Sequence, residues 1–519
     1  MKNIKFILIA LVIVLSSNSN FAQRDDSLYY GLRVFSNVIN HVKTNYLEPV
    51  NSYKLIGGAL YGMLRSLDPH TVYLNSSRFQ EFMAIMDGKM AGLGLEMDIV
   101  DDKPIVVSIA PYSPAYSSKI RPGDILLSVN DSLTEGLSSQ ELELLLNGEE
   151  DEDVTLKLQS GITEKEYIEE LEFETFDSPS IPFKFTLNGN VGYIKCIEFR
   201  STTAEELKDA LDDFHSAHIN DIVIDLRGNP GGYASASEEM AGLFLYKDKI
   251  ISISDGRKKE MVDTVKKAED EYLASHPKII LLIDRGSASA SEMFSGALQD
   301  NDRAVLIGTN SFGKGLIMRT FLLDNGDAVL MTCGKYKTPS GRVVQREYKD
   351  KKTIDSRNEI YKTDSVNIKT RPTFKSVGGR TLYCGGGIIP DIFIENDNRI
   401  LHDLSVEETQ FYKYASKIIA DKSLLDNKKI TLEDIKGTEI PPAYLDEILA
   451  AIKSKDDKQV PLLTKVISQK IKRNIAGILL GEERAYRLEL DYDNQLQTAL
   501  QTFPKVYSIL FPNTKDSQE

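Results

Sequence analysis

Residues 278–315 read KIILLIDRGSASASEMFSGALQDNDRAVLIGTNSFGKG, and their pattern decides the fold class. An apolar run, KIILLID, enters a turn of Gly, Ser and Ala, and passes straight into the helical pattern SEMFSGALQD. A second apolar run, RAVLIG, follows and ends in a Gly-flanked lysine. Continuous apolar runs of this length read as strands buried on both faces, and the helix between them reads as a crossover. Working outward, VGYIKCIEF, the helical TAEELKDALDDFHSA and DIVIDL come before the stretch, and DAVLMTCG comes after it. Strands and helices therefore alternate over about residues 173–403, the mark of an α/β domain.

The flanks differ in character. Residues 23–85 carry apolar residues at helical spacing, with a Pro-marked turn in GMLRSLDPHTVYL. Residues 86–172 hold short strand patterns (AGLGLEMDIV, KPIVVSIAP, GDILLSVND, VTLKLQ) and one amphipathic helix, SSQELELLLNG, which indicates a small inserted domain. Residues 342–382 are charged and weakly periodic and read as an insertion or long flap. Residues 404–519 return to helical patterns, as in AYLDEILAAIKS and LLTKVISQKIKRNIAGILL. No internal repeat is visible.

Composition narrows the function classes. With 519 residues, 41% hydrophobic and 27% charged, the chain is an ordinary globular protein of several domains. A net charge of −15 argues against nucleic acid or an anionic membrane as partner. Residues 1–22, MKNIKFILIALVIVLSSNSNFA, have two lysines, a short apolar run and a small residue before Gln23. That is the pattern of a signal peptide, so an exported protein is expected, periplasmic, or membrane-associated if the segment stays uncleaved. Three scattered cysteines and six histidines form no metal-ligand spacing, and no phosphate loop is present, so neither metal nor cofactor is expected.

The chemistry concentrates in three Gly-rich strand ends: DLRGNPGG, DRGSASAS and GTNSFGKG. A hydroxyl at the start of a helix lies beside unpaired N–H groups and the positive end of the dipole, where developing negative charge is stabilised. A nucleophile beside an oxyanion hole needs this geometry. No GxSxG elbow is present and no histidine stands in a Ser-His-Asp pattern. By contrast, Lys314 follows a strand and is flanked by glycines, which is unusual for a solvated lysine.

The ordered set DLRGNPGG, SASASE…ALQD, GTNSFGKG, TPSGR and GGGIIPDI resembles the C-terminal processing (tail-specific) peptidase family of serine peptidases. LDPHTVYL upstream and SPAYSSKIRPGDILLSVND, which looks like part of a PDZ domain, extend the resemblance over about residues 28–400. It implies a multidomain α/β protein: a ClpP/crotonase-like peptidase core with an inserted PDZ domain and helical terminal regions. It also implies an endopeptidase that processes or degrades proteins from near their C-termini through an acyl-enzyme. The nucleophile falls on Ser289, with Ser287 and Ser291 as neighbours of lesser claim, and the general base on Lys314. Ala290 N–H with Gly231 or Gly232 would form the oxyanion hole, and Asp300 would be structural support. A free lysine titrates at about 10.4, so lowering it by about 3 units asks for some 4 kcal/mol of destabilisation of the ammonium. Burial can supply it.

Two positions depart from the family pattern. Relatives commonly carry a glutamine four residues after the lysine, where its amide helps orient the amine; Met318 stands there and cannot donate a hydrogen bond. Some relatives carry an arginine where Asn147 precedes Gly148, so coupling between the PDZ domain and the active site is expected to work differently. The PDZ carboxylate loop falls on Gly92, Leu93, Gly94 and Leu95, which would receive free C-terminal tails of protein or peptide substrates. Helix pairs at the two ends imply a homodimer; an adaptor is neither implied nor excluded. The alternative reading is a catalytically impaired, PDZ-bearing peptide-binding or scaffold protein. Acyl-CoA chemistry on related folds predicts neither the PDZ-like insertion nor the signal segment.

Overall fold

The computed structural model describes residues 26–512 apart from 101, 263, 270–276, 347–370, 405, 407, 408, 422–429 and 453–455. The signal-like segment 1–22, His276 and most of the stretch read as a flap lie outside the described residues.

A six-stranded sheet carries the centre of the molecule. Its order is Phe183–Leu187, Val191–Lys195, Asp221–Asp225, Lys278–Ile283, Val305–Gly308 and Ile392–Phe393. The first pair is antiparallel and the remaining pairs are parallel. Both faces are covered, which is why the strands read as unbroken apolar runs. On one face Ile222, Ile224, Ile279 and Leu281 pack against the helices Thr203–Ser216, Ala234–Gly242 and Ala290–Asp300. On the other, Val223, Ile280, Leu282 and Val305 pack against Leu490, Leu496, Phe503 and Val506 from the C-terminal helices.

That second layer belongs to the C-terminal helical region, whose apolar faces are core. Its helices also meet the inserted domain: Tyr412 Oη donates to Val107 O (2.8 Å), and Ile105 and Val107 pack on the helical core around Phe411, Ile471 and Ile475. One helical layer thus joins peptidase core and inserted domain.

The inserted domain is a sheet in the order Leu95–Val100, Lys103–Ile109, Ile125–Val129, Asp153–Gln159 and Glu166–Glu172. Its helix Ser139–Leu145 opens with a capping box, Ser138 and Glu141 bonding each other's backbone N–H groups. An antiparallel ribbon, Lys89–Gly92 with Glu174–Asp177, leads into and out of the domain.

DAVLMTCG does not join the central sheet. It lies in Ala328–Lys337, the long strand of a second, antiparallel sheet with Val72–Leu74, Ile250–Gly256, Val265–Lys267 and Leu316–Leu322. Strand pattern alone could not separate the two sheets, because both hold apolar β-branched runs. The start of the 342–382 stretch is packed into the core. Arg342 and Val344 are buried, Arg342 pairing with buried Asp300.

Candidate active site

The three Gly-rich segments converge for a topological reason. Asp221–Asp225, Lys278–Ile283 and Val305–Gly308 are adjacent and parallel, so the loops that follow them leave the same edge of the sheet. The loops are stitched together. Ala288 N donates to Asn229 O (3.0 Å), Phe312 N to Ser287 O (2.9 Å), and Leu226 N to Leu282 O (2.9 Å).

The three serines of the turn have different surroundings. Ser287 is buried and its hydroxyl donates to Leu226 O (2.8 Å). Ser291 is buried and donates to Asn229 O (3.0 Å). Ser289 is only half-buried and sits at φ 54°, ψ −111° at the head of the helix Ala290–Asp300. A serine in that backbone region carries strain of about 1–3 kcal/mol and is held there by its surroundings. The strained turn is what lifts the middle hydroxyl out of the packed stitching.

Gly231 lies against this turn. A Cβ on it would fall 2.8 Å from Ala288 O, 2.8 Å from Ser289 Cβ and 2.9 Å from Ala290 N, and its φ is 106°. Only glycine fits that approach. Its own N–H donates to Asn229 Oδ1 (2.9 Å), which takes Gly231 out as a free donor. Ala290 N–H and Gly232 N–H make no described hydrogen bond, so of the two glycines the second is the one left for an oxyanion.

Two side chains brace Ser289 to the lysine loop. Glu292, fully buried, accepts Ser289 N–H (2.9 Å) and Lys314 N–H (2.8 Å) on one oxygen. Its other oxygen accepts Ser311 Oγ (2.5 Å) and Gly313 N–H (2.6 Å). The backbone nitrogens of Ser289 and Lys314 therefore lie within two hydrogen-bond lengths of each other. Burial pushes the Glu292 carboxyl above its usual pKa while the four donors pull it back. Tyr336, also buried, places its hydroxyl between Ser289 O (3.0 Å) and Lys314 O (3.4 Å). Gly315 N donates to Gln345 Oε1 (2.9 Å) and Arg346 N to Gly313 O (2.8 Å), so the buried start of the 342–382 stretch also fixes the lysine loop.

Burial lowers the Lys314 pKa from its ordinary value, and the carboxylates Glu292 and Asp68 only partly oppose the shift. Lys314 lines a cavity of about 760 Å³ together with Ala288, Gly228, Pro230, Phe312 and His70. Arg285 and Arg399 also line it, both paired to Glu395 (2.7 and 2.8 Å). Met318 is on the strand Leu316–Leu322, opposite Thr332, at an irregularity between Ile317 and Met318. Sequence reading had no signal for Glu292 or Tyr336 beyond ordinary core positions. His70, within LDPHTVYL, lines the same cavity as Lys314, a placement that its position in the chain does not signal.

In the inserted domain, Gly92 ends the ribbon strand and Leu93 is buried in the domain core. Leu93 O accepts Ala115 N–H (3.1 Å) and Gly94 O accepts Ala110 N–H (2.8 Å). Gly94 has φ 74° and its Cβ would lie 2.1 Å from that of Ser113. Leu95 begins Leu95–Val100, the strand at the end of the sheet order, whose described strand pairing is with Lys103–Ile109. Asn147 is exposed. Cys196, Cys333 and Cys384 are free thiols, and the described residues contain no cluster suited to a metal ion.

Comparison with known proteins agrees with this architecture. The sequence models of peptidase family S41, the PDZ domain and the "Activating protease CtpB N-terminal domain" match residues 190–355, 83–159 and 15–77. A "Probable CtpA-like serine protease" of Staphylococcus aureus (strain MRSA252) is 34% identical over 348 residues, 66% of this chain and 68% of that one. A "Carboxy-terminal-processing protease" of Bartonella bacilliformis is 30% identical over 337 residues, 64% of this chain and 77% of that one. Among solved structures, a photosystem II D1 C-terminal processing protease aligns over 70% of this chain and 86% of its own. Its identity is 23% and its TM-score 0.38, too low to fix domain placement or site roles. The matching family models and relatives define a serine protease with a PDZ domain. The chain belongs to the C-terminal processing peptidases of family S41.

Proposed function

We propose that this is an exported endopeptidase in which Ser289 is the nucleophile and Lys314 the general base, acting on proteins near their C-termini. The observation that carries the reading is the double brace: Glu292 and Tyr336 each bond both Ser289 and Lys314, so one rigid frame holds nucleophile and base. A buried neutral amine takes the Ser289 proton as Oγ bonds the scissile carbonyl carbon. Ala290 N–H and Gly232 N–H stabilise the oxyanion, and the Lys314 ammonium returns its proton to the leaving amine. Water then attacks the acyl-enzyme with Lys314 again as base, releasing the acid and Ser289.

A free C-terminal tail adds as a strand along the outer edge of Leu95–Val100, its carboxylate at the loop Gly92–Gly94. The N-terminal helices Asp26–Asn45 and Ser52–Arg65 expose Leu28, Leu32, Phe35, Ile56 and Met63, an apolar surface that supports a homodimer through this region. The signal-like residues 1–22 support export, to the periplasm in a two-membrane cell.

The test is cleavage of an unstructured peptide with an apolar tail by wild type, Ser289→Ala and Lys314→Ala. Both variants should be inactive. A pH–rate profile rising near neutrality should vanish with the lysine. Equal persistence of substrate with all three proteins would instead favour the non-catalytic scaffold, the role that Met318 in place of glutamine would suit. Equal cleavage of free and amidated tails would count against recognition of the carboxylate.

A further inference from the structure

The family's orienting glutamine is absent, and the strand that pairs with Met318 is tied along its other edge to a turn of the N-terminal region. Thr332, the partner of Met318 across the strands, donates its backbone N–H to Thr71 Oγ1 (3.2 Å). Thr71, buried, in turn donates its hydroxyl to Asp68 Oδ2 (2.8 Å). Asp68 Oδ1 accepts the N–H groups of His70 (2.8 Å) and Thr71 (2.8 Å), closing a tight turn around Pro69. The next residues, Val72–Leu74, pair with Leu330, Val329 and Ala328 of the same long strand. The turn 68–71 is thereby pinned to the edge of the long strand opposite the one that carries Met318. Its His70 forms part of the wall of the cavity that Lys314 also lines.

We propose that His70 is a positioning residue for Lys314, its imidazole offering the amine the hydrogen-bonding partner that glutamine supplies in relatives. A neutral imidazole has one N–H and one acceptor nitrogen, the same complement that an amide can present to a lysine. Burial, and then the Lys314 charge, push the His70 pKa down to about 4, with Asp68 opposing. At neutral pH the ring therefore brings an acceptor and adds no charge beside the ammonium. The other ionisable groups that line the cavity are Asp284, Arg285, Glu395, Arg399 and His402, and the charge of Glu292 also reaches Lys314. Asp68 fixes the turn, and its charge reaches both His70 and Lys314.

The proposal rests on the Ser289/Lys314 reading, and one experiment separates the two. Initial rates against pH are measured on the same tailed peptide for wild type, Lys314→Ala, His70→Ala, His70→Gln, His70→Phe and the double variant His70→Ala/Met318→Gln. Thermal melting is recorded for each. His70→Ala should lower kcat by about ten- to hundredfold with KM little changed, the cost of a loosely held base. It should also move the rising limb to higher pH, because water reaches the amine and its pKa returns toward the ordinary value. His70→Gln should retain more activity than His70→Phe, and Met318→Gln should restore about tenfold of what His70→Ala loses.

Lys314→Ala as active as wild type would sink the lysine reading and this one with it. With Lys314→Ala inactive, a His70→Ala enzyme that matches wild type in kcat and pH limb overturns the role of His70 alone. So does a loss that Met318→Gln leaves untouched. Should His70→Ala melt early, the Gln and Phe variants decide, and equal rates for those two overturn the proposal.

Discussion

Replacing Glu292 by glutamine changes the shape of the active-site frame least and its hydrogen bonding most. In the native protein each carboxylate oxygen accepts two donors: Ser289 N–H and Lys314 N–H on one, Ser311 Oγ and Gly313 N–H on the other. An amide must put its NH2 on one side or the other. Facing Ser289 and Lys314 it would set donors against two backbone N–H groups that cannot turn. Facing Ser311 and Gly313 it meets one such N–H and one hydroxyl that can rotate, so it settles there. One buried N–H then loses its acceptor, at about 1–3 kcal/mol, and the remaining bonds lose charge assistance, at about 1 kcal/mol more. Relief of the buried charge offsets part of this, leaving about 2–3 kcal/mol. At about 2–4 °C per kcal/mol for a domain of this size, the melting temperature falls by roughly 4–12 °C. The unsatisfied group is Gly313, next to the proposed base, and a displacement of Lys314 near 1 Å should cost about a hundredfold in kcat. The assay pairs thermal melting with kcat and KM on an unstructured tailed peptide. A Glu292→Gln enzyme that melts with wild type and turns over at its rate would refute the bracing argument.

Tyr336→Phe removes the hydroxyl shared by Ser289 O and Lys314 O, and should cost about 1 kcal/mol in stability and about tenfold in kcat; an unchanged kcat would confine Tyr336 to packing. Gly231→Ala puts a methyl 2.8 Å from Ser289 Cβ at a φ of 106°, and should reduce kcat about a hundredfold or more; normal activity would mean that the loop has room to yield. Asp225 is buried and bonded to Arg227, Lys195 and Tyr193, and against the burial penalty the two cations hold its carboxyl well below the ordinary range. A depressed carboxyl contributes stability that is complete above about pH 4 and is lost as pH falls further, toward the folded value. Asp225→Asn should therefore destabilise by about 3 kcal/mol at neutral pH and flatten the acid limb of the stability curve. An acid limb as steep as that of wild type would place the sensitivity elsewhere.

Much of the architecture is legible in residue order because the local signals are strong. Apolar runs such as DIVIDL and KIILLID can only be strands covered on both sides, and SASAS between strand and helix can only be a tight, small-residue turn. Ser289 and Lys314 become candidates through the family resemblance, to which the glycines around the lysine and the hydroxyl at a helix start add local support. Assignment of DAVLMTCG to a second sheet was not legible, because pairing partners such as Val72–Leu74 lie far away in sequence. Nor was the joining role of the C-terminal helices. Amphipathic faces announce that something covers them, not what does.

The sequence by itself determined the class of fold and the three Gly-rich strand ends, and through the family resemblance it made Ser289 and Lys314 candidates and Met318 a departure. Tertiary structure decided what surrounds that pair. Glu292, Tyr336 and the turn Asp68–Thr71 come from a helix, a strand in another sheet and the N-terminal region, and each is unremarkable where it stands in the chain. Hydrogen bonds that fix a base and the burial that lowers its pKa depend on distances through space. Only closure of the chain brings those groups to Lys314, which is why its surroundings could not be read until the fold was known.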